Sequence, residues 1–140
     1  MTKRNAPVSR RNFVKHSAMA IATTSVTLPT LEEKKKDLFV HHVYFWLKNK
    51  GNAADTAALM AGLEKLRAVP TIKLSHVGVP APTNRSVIDT TYAVSWLCFF
   101  ENGPDQDVYQ THPIHLKFIE ECAHLWEKVI VYDSIGQQKK

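Results

Sequence analysis

Phe39-Val40-His41-His42-Val43-Tyr44-Phe45-Trp46-Leu47 reads as one β-strand, because the run is dominated by β-branched and aromatic residues with no Gly or Pro to break it. Side chains alternate across a strand. His41, Val43, Phe45 and Leu47 therefore share one face, and Val40, His42, Tyr44 and Trp46 share the other. Both faces are apolar. The same holds for Thr91 to Glu101, with Tyr92, Val94, Trp96, Cys98 and Phe100 on one side and Ala93, Leu97 and Phe99 opposite. A sheet covered by helices on one side only leaves its other side wet, and its strands then alternate apolar with polar. Here both sides need cover. Helices can cover one, and a second copy of the sheet can cover the other, which predicts a homodimer of face-to-face sheets.

The rest of the chain supplies the helices. Asn52 is placed to cap a helix, with Asp55 three residues on, and Leu59, Leu63 and Leu66 recur at helical spacing. Pro70 is expected to end that helix. Ile72 to Val79 reads as a second strand, stopped by Pro80 and Pro82, and Ala81 to Asp89 as a polar loop. Asn102-Gly103-Pro104 marks a turn, and Asp105 to Trp126 reads as a helix that kinks or restarts at Pro113. Val129 to Tyr132 closes the order as a short strand. The result is β-α-β-β-α-β, an α+β fold of the ferredoxin-like type.

Composition narrows the function. A chain of 140 residues, 44% hydrophobic and 22% charged, fits one globular domain. The net charge of +5 comes from the first thirty residues, which carry Lys3, Arg4, Arg10, Arg11 and Lys15 and no acid. Basic and acidic residues balance from Leu31 onward, so the folded body offers no basic stripe for nucleic acid. No apolar run approaches the length of a membrane span. Cys98 and Cys122 lie in apolar stretches and read as free, buried thiols. No CxxC spacing occurs.

The N-terminus reads as an address. Ser9-Arg10-Arg11-Asn12-Phe13-Val14-Lys15 resembles the twin-arginine export motif, with Arg10 and Arg11 as its signature pair. A mildly apolar stretch from Ser17 to Leu28 follows, which is the layout of a signal peptide. Residues 1–30 are thus expected to be the signal and 31–37 a charged linker. The domain is expected at 38–134 and a C-terminal tail at 135–140. The protein is expected to be exported to the periplasm.

Tyr109-Gln110-Thr111-His112-Pro113-Ile114-His115 resembles the Y-x-x-H-P-x-H motif of the Dabb family, the stress-responsive alpha/beta barrel proteins. His41-His42-Val43-Tyr44-Phe45-Trp46-Leu47-Lys48 is similar to the family's opening H-x-V-x-F-x-x-K, and Trp126 to Asp133 resembles its ending. The resemblance implies a dimeric alpha/beta barrel with helices outside. The family is functionally mixed and includes a plant polyketide cyclase. In that cyclase the motif's Tyr and second His are an acid/base pair, which the resemblance carries to Tyr109 and His115. The opening His aligns with His41. The cyclase has a further His two residues after a third-strand Tyr, where this chain has Val94 after Tyr92.

The residues allow three functions. His115, Phe118, Ile119, Cys122 and Trp126 fall on one helical stripe, which turns His115 inward. An inward His near neutrality can serve as a general base, with Tyr109 as partner and His41 in the same pocket. That reading is an enzyme of the cyclase or isomerase type. A second reading is a barrel that binds a small apolar or aromatic ligand against Val43, Phe45, Val94, Trp96, Phe118 and Trp126. The third is a structural oligomer, in which His115 and Tyr109 merely fix the helix kink. His112, just before Pro113, is expected to cap the new helix turn. No carboxylate stands at a ligand spacing, so no metal and no cofactor is expected.

Overall fold

The computed structural model describes residues 38–136. The expected signal peptide with Arg10 and Arg11, the 31–37 linker and residues 137–140 of the tail lie outside the described residues. The order is β1 (Phe39–Leu47), α1 (Ala53–Leu66), β2 (Leu74–Gly78), β3 (Val94–Phe100), α2 (Gly103–Thr111), α3 (Pro113–Cys122), a 3-10 turn (Ala123–Leu125) and β4 (Trp126–Ile135). The four strands form one antiparallel sheet in the order β2-β3-β1-β4. This is the ferredoxin-like α+β fold.

Alternation decides the two faces of the sheet. His41, Val43, Phe45 and Leu47 of β1 and Val94, Trp96, Cys98 and Phe100 of β3 are buried under the helices. Leu59, Leu63 and Leu66 of α1 meet them as one stripe. Val40, His42, Tyr44 and Trp46 point the other way and stay half-exposed, as do Leu97 and Phe99. The opposite face is therefore apolar and uncovered in one protomer.

Local chemistry sets the ends of the helices. The Asn52 side chain accepts the Asp55 N–H at 3.0 Å, and Asn102 accepts the Asp105 N–H at 2.9 Å. Helix α1 stops at Leu66, and single turns at Arg67, Ala68 and Val69 carry the chain to Pro70. The helix expected from Asp105 to Trp126 is two helices. His112 is extended because the proline that follows disfavours helical backbone. Its Nδ1 accepts the Ile114 N–H at 3.2 Å and starts α3, the capping role expected for it.

Three boundaries differ from the sequence reading. Strands β2 and β3 are shorter than expected, and Tyr92 precedes β3. Its ring instead meets Tyr44 on the uncovered face, with centroids 4.9 Å apart. Strand β4 is longer, and Trp126 is its first residue rather than the end of a helix. The Lys48 N–H donates to the Leu125 carbonyl at 3.0 Å, which turns the chain into the sheet and sets Trp126 opposite Leu47. The indole still reaches the face it was expected to occupy, stacked on Phe118 with centroids 5.7 Å apart. Helical spacing and a strand position delivered the same side chain to one core.

Gly62 lets α1 and α3 approach closely. A Cβ there would stand 2.6 Å from Cys122 Sγ and 3.2 Å from the Phe118 ring. Gly62→Ala is expected to lower stability, because overpacking costs about 1–3 kcal/mol and alanine returns only about 1 kcal/mol of helix propensity. Thermal melts should show the loss, and Cys122→Ala in the same chain should relieve it. Both cysteines are free and buried. Burial pushes the Cys98 thiol up to about 12, so it is not a nucleophile at neutral pH.

Candidate functional site

The helices rest on β2 and β3, and the helix side of β4 is left partly open. Val129 and Val131 point to that side and remain 37% and 45% exposed. Between them and α3 lies a cavity of about 240 Å³. Of the residues named from the sequence, Val43, Phe45, Trp96, Phe118 and Trp126 line it, together with Leu63, Leu66, Ile119, Val129 and Val131. Val94 does not line it. It is fully buried in the core, so the third-strand position where the cyclase carries a His does not reach this cavity.

Polar groups gather at one part of the wall. His41, Tyr109 and His115 all line the cavity. The Tyr109 ring lies 4.5 Å from that of His115 and 5.7 Å from that of His41, centroid to centroid. Strand pairing explains His41, which β1 turns toward the helices. The break at Pro113 explains the other two, since Tyr109 ends one helix as His115 begins the next.

Each of these groups has a defined partner. His115 Nδ1 lies 3.0 Å from the Gln110 carbonyl, an acceptor only, so Nδ1 carries the proton and Nε2 the lone pair. Burial holds His115 below its ordinary value, and His41 adds to the effect, while the Gln110 carbonyl opposes it. The ring is therefore neutral at neutral pH and able to accept a proton. The Trp96 Nε1–H donates to the Tyr109 hydroxyl at 3.2 Å, leaving the phenolic hydrogen to be donated in turn. Burial raises the Tyr109 phenol well above its usual range, so it acts as a hydrogen-bond donor and not as a phenolate.

Asp133 is the member that sequence reasoning missed. Its Oδ1 lies 2.6 Å from His41 Nδ1. Residues 41 and 133 are direct partners in the β1–β4 ladder. The pair fixes the His41 ring and leaves Nε2 for an occupant of the cavity. The alternation of Val129, Val131 and Asp133 on one face of the last strand was the available signal. Among the described residues no group of three or more His, Cys, Asp or Glu side chains is placed to hold a metal.

Residues 39–135 match the model of the Stress responsive A/B Barrel Domain. The chain belongs to the Dabb family. No curated protein matches this Dabb chain. Among solved structures it is similar to a Dabb protein with a ferredoxin-like fold from Mesorhizobium loti, at 18% identity, over 73% of this chain and 99% of that one, with a TM-score of 0.61. A dimeric ferredoxin-like protein of unknown function from Bacteroides fragilis matches at 23% identity, over 71% and 96%, with a TM-score of 0.56. The hydroxynitrile lyase of Passiflora edulis matches at 18% identity, over 75% and 98%, with a TM-score of 0.61. At these identities the likeness is one of fold.

Because burial holds His115 and His42 below their ordinary value of 6.5, the unfolded chain binds more protons than the folded one at mildly acidic pH. Stability is then complete above about 6.5 and falls as pH drops through the folded values. Urea midpoints measured from pH 8 to 5 should be flat and then decline. His115→Gln should remove part of that slope, and an unchanged slope would show that His115 is not held neutral.

Proposed function

We propose that this Dabb protein is a homodimer, joined through the uncovered sheet face, that takes a small apolar or aromatic ligand bearing a carbonyl or hydroxyl oxygen into the cavity. The observation that carries the reading is the composition of the wall. Aromatic and aliphatic side chains form most of it, and three oriented polar rings converge at one part. Apolar walls supply affinity, and a few placed polar groups select orientation. The dimer reading rests on two strands with apolar residues on both faces, and on the dimeric relative from Bacteroides fragilis.

A catalytic reading of the same cavity has its own support. His115 presents a neutral Nε2, Tyr109 presents a hydrogen, and His41 is held by Asp133. His115 would take a proton from the carbon beside a carbonyl while Tyr109 donates to the carbonyl oxygen. The proton on His115 then returns to the product, so ring closure or isomerisation needs no other reactant. The same fold carries a hydroxynitrile lyase in Passiflora edulis.

The test is native mass spectrometry of the protein purified from a periplasmic fraction of its host, since export by the Arg10-Arg11 signal belongs to the same proposal. The expected result is a dimer carrying a small-molecule adduct. A dimer that takes up none of a panel of small aromatic and aliphatic aldehydes and ketones would overturn the ligand reading. Uncleaved protein confined to the cytoplasm would overturn export. For catalysis, His115→Ala should abolish turnover with little change in melting temperature. A loss above about 2 kcal/mol of stability would instead make His115 a structural residue.

A further inference from the structure

The uncovered face of the sheet carries two histidines in one row. His42 of β1 and His76 of β2 both pair with Leu97 of β3, from opposite sides, and His42 pairs with Tyr132 of β4 beyond it. The row His76–Leu97–His42–Tyr132 thus crosses all four strands. The row beside it reads Gly78–Ser95–Tyr44–Ile130 by the same pairings, and the one before reads Leu74–Phe99–Val40–Ser134. None of these twelve positions is acidic.

Each histidine is built into the face. His42 Nδ1 lies 3.1 Å from the Tyr44 hydroxyl, and the two rings are 4.3 Å apart. Tyr44 in turn meets Tyr92 and Tyr132 edge-on. The His76 ring lies over Gly78, where a Cβ would stand 2.7 Å from Nε2. Glycine at 78 makes room for the ring to lie along the sheet rather than stand away from it. Both histidines therefore lie low on the surface that a second sheet would cover.

We infer that this face is a pH-gated interface: His42 and His76 permit dimerisation when neutral and oppose it when protonated. The inference rests on the sheet-to-sheet dimer proposed above. Covering the face removes water from both rings, and a charge so covered must find a partner or be expelled. The titratable groups around the row are Tyr44 on β1, Tyr132 and Lys128 on β4, Tyr92 and Asp89 ahead of β3, and His41 on the reverse side of β1. Lys128 is engaged over the Trp46 ring at 4.3 Å. Asp89 is the one carboxylate among them, and it is engaged at the Trp46 end of the face, where it accepts the Thr91 N–H and interacts with Lys128. The two histidines also repel each other when charged. Burial already lowers His42 in one protomer, and His76 lowers it further.

The magnitude follows from linkage. Each copy of His42 that must be neutral in the dimer weakens association about tenfold for every pH unit below its value in the monomer. Because burial holds that value below 6.5, the two copies together give less than the roughly 10³-fold that two ordinary histidines would give between pH 7.5 and 5.0. Participation of His76 would steepen this.

Sedimentation of the full chain across pH 7.5 to 5.0, with circular dichroism to follow folding, is the test. The expected result is a dimer at pH 7.5 and a folded monomer at low concentration at pH 5.0. The double variant His42→Gln, His76→Gln, which cannot be protonated there, should remain dimeric at pH 5.0. A wild-type dimer that persists unweakened at pH 5.0 would overturn the gate, as would a double variant that dissociates like the wild type. A chain monomeric at pH 7.5 at micromolar concentration would overturn the dimer itself and the gate with it.

Discussion

Trp96→Ala is expected to cost about 3–5 kcal/mol of stability, the usual price of deleting a large buried aromatic. Trp96 is 1% exposed, in the middle of β3, and contributes both to the core and to the cavity wall. A domain of this size holds roughly 5–15 kcal/mol in total, so the variant should be largely destabilised and easily unfolded by urea. Two effects are combined in that loss. One is the cavity left by the indole, and the other is the Tyr109 hydroxyl deprived of its donor. Trp96→Phe reduces the first and keeps the second, because it retains a six-membered aromatic ring while the pyrrole ring and its N–H are lost. Its cost should be smaller than that of Trp96→Ala, about the 1–3 kcal/mol of an unsatisfied buried group together with a smaller packing loss. A Trp96→Ala variant that loses less than 1 kcal/mol would contradict the placement of this side chain at the centre of the core.

Val43→Trp is expected to abolish ligand uptake while the chain still folds. Val43 sits on β1 between His41 and Phe45 and lines the cavity. An indole there would take space that a ligand needs, and it would lie next to the polar rings. A loss of at least about 100-fold in affinity corresponds to roughly 2.7 kcal/mol, which filling the apolar part of the site should exceed. Because the cavity offers room, the stability cost should stay within the 1–3 kcal/mol typical of added core volume. Titration of the wild type and the variant with the aromatic aldehyde or ketone that binds best in the native mass measurement would decide. Equal affinity in both would mean that the ligand lies elsewhere. His115→Gln makes the useful contrast, since it keeps the volume and changes only the polar contact. Binding should fall less in that variant, and turnover, if the cavity is catalytic, should fall far more.

The element order, the helix-facing side of β1 and β3 and the leucine stripe of α1 were legible in the sequence. Their signals are local: a strand alternates every two residues and a helix repeats every 3.6. The capping roles of Asn52 and His112 were legible for the same reason, because a cap acts within three residues of itself. His41, Tyr109 and His115 were singled out by their motif and by the faces they occupy, and the structure places all three on one cavity.

What tertiary structure alone decided depends on strand register and on how far the helices reach. Asp133 meets His41 across 92 positions of sequence because the β1–β4 ladder sets them opposite, and no local periodicity encodes that register. Trp126 was assigned to a helix by its spacing from Cys122, yet the bond from Lys48 to Leu125 draws it into a strand. Val94 has the alternation of a cavity residue, but it sits under the helices rather than beside the open edge. That edge exists because the helices rest on β2 and β3 and leave β4 partly bare. From the sequence alone came the inward side chains of β1, β3 and α1. Only the packing of distant segments determined which of those inward side chains border an empty space, because a cavity is where packing stops short and no single element records its limit.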